Sequence, residues 1–353
     1  MTHNAPASLT GIVSAVDAVL AHAVTEQRKR WVAVDEDLSL PLDEVARLVL
    51  SGGKRIRPAF CYWGFRAAGG DENSEVPLRV GAAIELLHVF ALFHDDIMDG
   101  ALTRRGQPTS HTALSELHEE SNWAGESRRF GEGAAILIGD LTYVMSDQLI
   151  GDISMEARNV WHDMRLEVNV GQYLDMLGSA RRERRREVAD RICRFKSAKY
   201  TIERPLHLGA FVADVQRGTK LLNQLSRYGL PLGDAFQLRD DVLGVFGDSV
   251  STGKPVGDDL REGKPTPLMA CAYERSTPAQ RQVLDLVGSA DLTNDEVNRI
   301  QSVITETGAL EEIEATIIAL RDEALQSLTA DDIEKEAHQA LVELAYYVTD
   351  RID

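Results

Sequence analysis

Asp95, Asp96 and Asp99 crowd together in FHDDIMDGALTRRGQPTSH (93–111), and Arg104 and Arg105 follow them at once. On a helix, Asp95 and Asp99 lie one turn apart on the same face, where two carboxylates repel unless something positive sits between them. A hard divalent cation meets that need: Mg2+ takes one or two carboxylates and completes its shell with water and phosphate oxygens. A second cluster stands in AFQLRDDVLG, where Gln237 precedes Asp240 and Asp241, and Gly244 occupies the place an acid would take if the first spacing were repeated. Cationic residues are spread among these acids. Lys54 and Arg57 in GGKRIRP (52–58) open a helix whose first N–H groups are free for an anion, and Lys196, Lys254 and Lys264 stand in KSAKY, TGKP and EGKP. A lone DDxxD is as often a solvated helix end as a metal site, and a lone lysine is usually a surface charge. Here the first cluster closes an apolar helix, so its acids point into a cavity and not into bulk water.

The elements that carry these residues read as helices throughout. Apolar residues recur at helical spacing, with almost no sustained alternation. Ser8 caps a helix running towards Arg28, Pro41–Leu50 forms a second, and a third starts near Pro58. VGAAIELLHVFALF (80–93) is apolar nearly all round, with Glu85 and His88 as polar intrusions, which marks it as the buried centre of a bundle. The polar stretch 115–133 reads as a long loop with at most a helical turn inside, and 248–265 as another loop. Helices follow at 134–150, 157–177, 184–215 and 219–247, and about three amphipathic helices finish the chain. RRERRRE (181–187) alternates charge sign and reads as the solvated face of a helix.

The bulk properties narrow the function classes. A chain of 353 residues, 44% hydrophobic, buries a large core, and no repeat or linker divides it. A formal charge of −18 argues against nucleic-acid binding and repels anionic substrates unless a metal or an Arg/Lys cluster reverses the local field. Cys61, Cys193 and Cys271 are odd in number and far apart, which fits a reducing cytosol better than a disulfide framework or a zinc site. MTHNAPASLT lacks a basic start and an apolar block, and no run reaches the length of a membrane span, so a cytoplasmic protein without a transmembrane segment is expected.

From about residue 50 to 353 the chain resembles the trans-isoprenyl diphosphate synthases, or polyprenyl synthetases. GGKRIRP (52–58), DDIMD (95–99) with RRG (104–106), GQYLD (171–175), KS (196–197), FQLRDD (236–241) and TGKPVGDDLREGKPT (253–266) stand in the family's order. The resemblance implies an all-α, single-domain antiparallel bundle of the isoprenoid synthase type, spanning 1–353 around a deep central cavity. It implies a homodimer that condenses isopentenyl diphosphate with an allylic diphosphate (dimethylallyl, geranyl or farnesyl). By similarity, Asp95, Asp99 and Asp240 hold three Mg2+ per active site, Asp96 and Asp241 complete the catalytic acids, and Arg104, Lys196, Gln237 and Lys254 grip the allylic diphosphate. Lys54, Arg57, His88 and Arg105 take the isopentenyl diphosphate, Gln172 and Lys264 join the substrate-binding set, and Ser197 with the carbonyls of Lys196 and Gln237 steadies a carbocation. Ser197 stands for the family's usual threonine with its hydroxyl retained, and Gly244 for the last acid of the second cluster.

Product length is expected to be set on the helix before Asp95, where Leu87, Phe90 and Ala91 lie. A bulky Phe90 beside a small Ala91 resembles synthases that stop at geranylgeranyl diphosphate, with farnesyl or longer-chain products as the alternative. Other readings fit less well. A phosphohydrolase, suggested by His94-Asp95, needs further histidines in acidic settings. A terpene cyclase needs a second metal motif that NDEVNRIQS (294–302) does not supply, and a regulatory subunit of a heteromeric synthase typically loses the acids and bases kept here.

Overall fold

The computed structural model describes residues 5–247, 257–289, 291–329 and 333–351, and its contacts divide the chain into two units. Residues 5–158 and 205–219 make up one, and residues 159–204 and 220–353 the bulk of the other. All-α organisation holds in both, and the one sheet among the described residues is a two-stranded hairpin.

The first unit is built on α1 (Ala7–Val32), α2 (Ser39–Val49), α3 (Ile56–Ala67), α4 (Val76–Asp99), α5 (Ser110–Glu120), α6 (Ser127–Ile150) and α9 (Arg204–Ala213). Helix α4 is its axis: almost every side chain from Val80 to Phe93 is buried, as expected of a helix apolar on all sides. Helix α1 instead buries one stripe, Leu9, Ile12, Val16, Leu20 and Val24, at spacings that keep a single face inward. Ser8 is not its cap. The helix begins after Pro6, and the Ser8 carbonyl accepts from the Trp63 indole at 2.8 Å. Helices α3 and α9 cross backbone to backbone, since a Cβ on Gly209 would lie 1.9 Å from the Cys61 carbonyl oxygen.

Residues 115–133 are not a long loop. Helix α5 runs to Glu120 and α6 starts at Ser127, leaving a short connection. Of the glycines that suggested a break, Gly131 is a packing residue: a Cβ there would sit 2.2 Å from the His111 carbonyl, so its absence lets α5 and α6 touch. His118, Trp123 and Phe130 close the turn as an aromatic cluster, with ring centroids 5.3–6.0 Å apart. By length and composition, Ala7–Val32 and Val76–Asp99 would also suffice to cross a membrane, contrary to the sequence reading. The second owes this to its place in the core, where 67% of its most apolar window is buried.

The second unit contains most of α7 (Met155–Ala180), α8 (Arg186–Cys193), a π-helical segment (Arg194–Glu203), α10 (Val215–Phe246), α11 (Asp258–Glu262), α12 (Pro267–Arg275), α13 (Pro278–Leu284), α14 (Asn294–Glu306), α15 (Ala309–Ser327) and α16 (Lys335–Thr349). Its core gathers apolar residues of α10, α12, α14 and α15, among them Leu268, Ala272, Ile300, Ile304 and Ile313. The expected helix 184–215 runs from Arg186 to Ala213, but its middle, 194–203, is π-wound. RRERRRE spans a chain reversal between α7 and α8 and not a helix face: Arg182 is left-handed (φ 51°), and the Glu183 carboxylate accepts the backbone N–H groups of Arg184 and Arg185, both at 2.9 Å. The π turns 194–203 are wider than α turns, and they lie where neighbouring helices present glycines. A Cβ on Gly171 would fall 2.3 Å from Lys196 N, and one on Gly233 2.6 Å from the Ala198 carbonyl.

Candidate active site

The predicted site residues fall into two groups, one in each unit. In the first, α4 ends at Gly100, whose left-handed φ of 65° lets Gly100 and Ala101 return their N–H groups to the last turn. The hairpin Thr103–Arg104/Gln107–Pro108 follows, with both turn residues left-handed, Arg105 at 53° and Gly106 at 71°. This turn places Arg104 over the end of α4. Its Nε and Nη2 donate to Asp96 Oδ1 at 2.7 and 2.6 Å, and Nη2 lies 3.6 Å from Asp95 Oδ2.

The three acids therefore divide. Asp96 is buried and spent on Arg104, while Asp95 and Asp99 share the other face of α4 and stay partly exposed. Burial opposes charge on Arg104, but Asp96, Asp95 and Asp99 outweigh it and keep the guanidinium ionised. Asp96, grouped with the catalytic acids by sequence, holds Arg104 in place here. His94 turns away from this group: its Nε2–H goes to the Ile136 carbonyl at 3.1 Å and lies 3.7 Å from Asp140 Oδ1.

The loop before α3 adds more cations. Arg105 donates to Ser51 Oγ at 2.7 Å and to the Gly52 carbonyl at 2.6 Å, which ties the hairpin to the GGKRIRP segment. Lys54 precedes α3 and Arg57 stands in its first turn, both partly exposed. Sequence reasoning missed Arg55. It is left-handed (φ 46°) and buried, and donates to Asp17 at 2.8 Å, Glu85 at 2.6 Å and the Val49 carbonyl at 2.8 Å. The signal was Glu85, an acid with no evident purpose in an apolar helix.

Desolvation, and then the charges of Arg57, Arg105, Arg104 and Arg55, hold the His88 imidazole well below its ordinary 6.5. His88 thus enters the folded protein neutral, while the unfolded chain takes up a proton below pH 6.5. The unfolded state then binds more protons, so this residue makes stability fall as pH drops below that value. His88→Gln should flatten the acid side of the stability profile by up to about 1.4 kcal/mol per pH unit. Urea melts between pH 5 and 7 measure this, and an unchanged slope would rule it out.

In the second group, Lys196 and Ser197 lie on the π segment, Gln172 on α7, and Gln237, Asp240 and Asp241 on α10. Lys196 Nζ donates to Asp175 Oδ2 at 2.6 Å, so the last acid of GQYLD orients the lysine. Gln237 Nε2 donates to Asp241 Oδ1 at 2.8 Å, and Asp240 pairs with Arg351. Lys264 pairs with Glu262 and lies 3.7 Å from Asp259. Lys254 lies outside the described residues.

Gly244 has a structural reason. A Cβ there would come 1.8 Å from Asp259 Oδ2, so the glycine makes room for a carboxylate arriving from α11. Asp241, buried and close to Asp259, Asp240 and Asp175, has its pKa held well above the ordinary carboxylate range, first by burial and then, against the Gln237 hydrogen bond, by those charges. Its Oδ2 has no hydrogen-bond partner among the described residues. A buried, unpartnered oxygen beside further carboxylates is the donor chemistry that suits a hard cation such as Mg2+. Among the described residues, no group of three or more His, Cys, Asp or Glu is gathered closely enough to hold a metal ion by itself.

The sequence model of the polyprenyl synthetase family matches residues 41–304. The chain belongs to this family. Among its synthetase relatives, geranylfarnesyl diphosphate synthase of Aeropyrum pernix is 32% identical, the match covering 86% of this chain and 92% of that protein. Geranylgeranyl diphosphate synthase of Mycobacterium tuberculosis is 34% identical over 77% of this chain and 76% of that one. Among solved structures, geranylgeranyl pyrophosphate synthase of Corynebacterium glutamicum, complexed with isoprenyl diphosphate and magnesium, superposes with a TM-score of 0.91 at 39% identity, covering 97% of this chain and 99% of that one. The all-α fold of this synthetase is thus the isoprenoid synthase fold.

Proposed function

We propose that the chain is a trans-prenyltransferase that joins isopentenyl diphosphate to an allylic diphosphate and stops at geranylgeranyl diphosphate. The observation that carries this reading is the division of labour on α4: buried Asp96 fixes Arg104, and Asp95 and Asp99 remain on the open face beside it. The family match crosses both units, which supports treating residues 1–353 as one functional domain.

Asp95, Asp99 and Asp240 would hold Mg2+, three ions per site, against the allylic diphosphate. Bound there, the metal supplies positive charge to the departing group. By the family resemblance, Arg104 and Lys196, oriented by Asp96 and Asp175, would grip the remaining oxygens together with Gln237 and Lys254, and Asp241 would complete the catalytic acids. The allylic C–O bond breaks with its electron pair leaving on the diphosphate, and Ser197 and nearby carbonyls steady the cation. The isopentenyl double bond, presented by Lys54, Arg57, Arg105 and neutral His88, attacks the cation. The proton then lost passes to the released diphosphate. Gln172 and Lys264 complete the substrate contacts.

Phe90 forms the floor of the product tunnel. It is buried against Tyr143 and His94, with ring centroids 4.7 Å away in each case, beside Leu87 and half-buried Ala91. Phe90→Ala should shift the main product beyond twenty carbons, read by chromatography of the dephosphorylated alcohols; an unchanged product would free Phe90 of this role. On α6, Ile136, Leu137, Leu141 and Val144 form an exposed apolar face, which supports a homodimer, with sedimentation as its test. The cytosol is the proposed location. Purified protein incubated with Mg2+, isopentenyl diphosphate and each allylic starter tests the whole reading, and no elongation from any starter would refute it.

A further inference from the structure

Resting on that reading, we propose that Arg351 is a positioning residue of the metal site. It neutralises Asp240 while the cation is absent, must yield Asp240 when the cation arrives, and so sets the concentration at which the site loads. The guanidinium bonds to Asp240 Oδ1, its Nη2 lies 3.5 Å from the Phe236 carbonyl, and its plane covers the Phe236 ring at 4.3 Å. Arg351 therefore spans one turn of α10, ending on the carboxylate expected to bind metal. Its side chain is 9% exposed and that of Asp240 39%, so the cation is seated in the protein while the acid faces outward.

The contact is held by built parts. Arg239 donates to the Thr349 carbonyl at 2.8 Å while its fork clasps Glu314 at 2.6 and 2.7 Å. Arg321 holds Asp350 at 3.0 Å, and the Thr349 hydroxyl is buried on the Ala345 carbonyl at 2.8 Å. Two arginines thus pin the end of α16 so that a third reaches Asp240. A guanidinium and a divalent cation draw on the same carboxylate charge and repel one another, so pairing and loading compete. The released fork, with its planar set of donors, would then suit diphosphate oxygens beside the metal.

Mn2+ titration followed by electron paramagnetic resonance tests this without turnover. Arg351→Ala should bind Mn2+ alone about fivefold to tenfold more tightly than the parent, Arg351→Lys should fall between, and the gain should vanish in an Asp240→Asn background. Arg351→Gln keeps the stem over Phe236 and takes over the measurement if the alanine variant melts early. Unchanged or weaker Mn2+ binding in these variants, or a gain that survives Asp240→Asn, overturns the proposal. A parent protein that binds no Mn2+ even with inorganic diphosphate sinks the prenyl-transfer reading, and this proposal with it.

Discussion

Asp95→Asn should lower kcat by about 100- to 1,000-fold and leave the melting temperature almost unmoved. Asp95 keeps solvent contact and stands 3.6 Å from Arg104, which still has its closer carboxylate, Asp96. Asp96→Ala should do the opposite first: it leaves the largely buried Arg104 without its close carboxylate and should cost about 3–5 kcal/mol of stability. Steady-state rates with labelled isopentenyl diphosphate and denaturant melts of the same preparations separate the two effects. Equal loss of stability in both variants would show that the acids on α4 are not divided between chemistry and scaffolding.

The second large effect belongs to Arg55. Replacing it with Met leaves Glu85, with a 5% exposed side chain, uncompensated in the core of the first unit, a change worth about 3–5 kcal/mol. Asp17, 40% exposed, can turn to water and adds little. Scanning calorimetry should register a fall of roughly 5–10 °C. Restoring neutrality with Glu85→Leu in the same chain should recover most of it, because an apolar pair of similar volume costs no desolvation. If the double variant melts as low as the single one, the loss comes from the loop geometry and not from the buried charge. Since Arg55 also anchors the segment bearing Lys54 and Arg57, its loss should raise KM for isopentenyl diphosphate more than KM for the allylic partner.

Much of this was visible in the chain itself. The helix 80–93, apolar on every side, announced the axis of the first unit, and the acids after it marked the candidate site, because burial and charge repulsion act through residue type alone. What escaped were features that depend on which backbones meet. Gly131 and Gly171 look like helix breakers in a string of letters, but each is a point where another chain segment approaches too closely for a Cβ. Arg55 and Lys54 are adjacent cations in the sequence, and only the fold shows that one faces Glu85 and Asp17 within the protein. Asp259 and Arg351 reach α10 from distant stretches, so no local spacing could have marked them.

The crossing of α3 and α9 bears on biogenesis. Gly209 meets Cys61, and Gly64 meets Leu206, within a unit whose remaining residues end at 158. A nascent chain leaving the ribosome must therefore keep Phe60 and Phe65, both buried in the finished protein, waiting until residues beyond 209 emerge. The interval is filled by translation of residues 159–204, which belong to the other unit, so the first unit cannot close in the order it is made. Excising 5–158 as a fragment should yield a sticky, incomplete bundle, and a chaperone that shields the α3 surface during synthesis would act on a face that stays open until α9 is made.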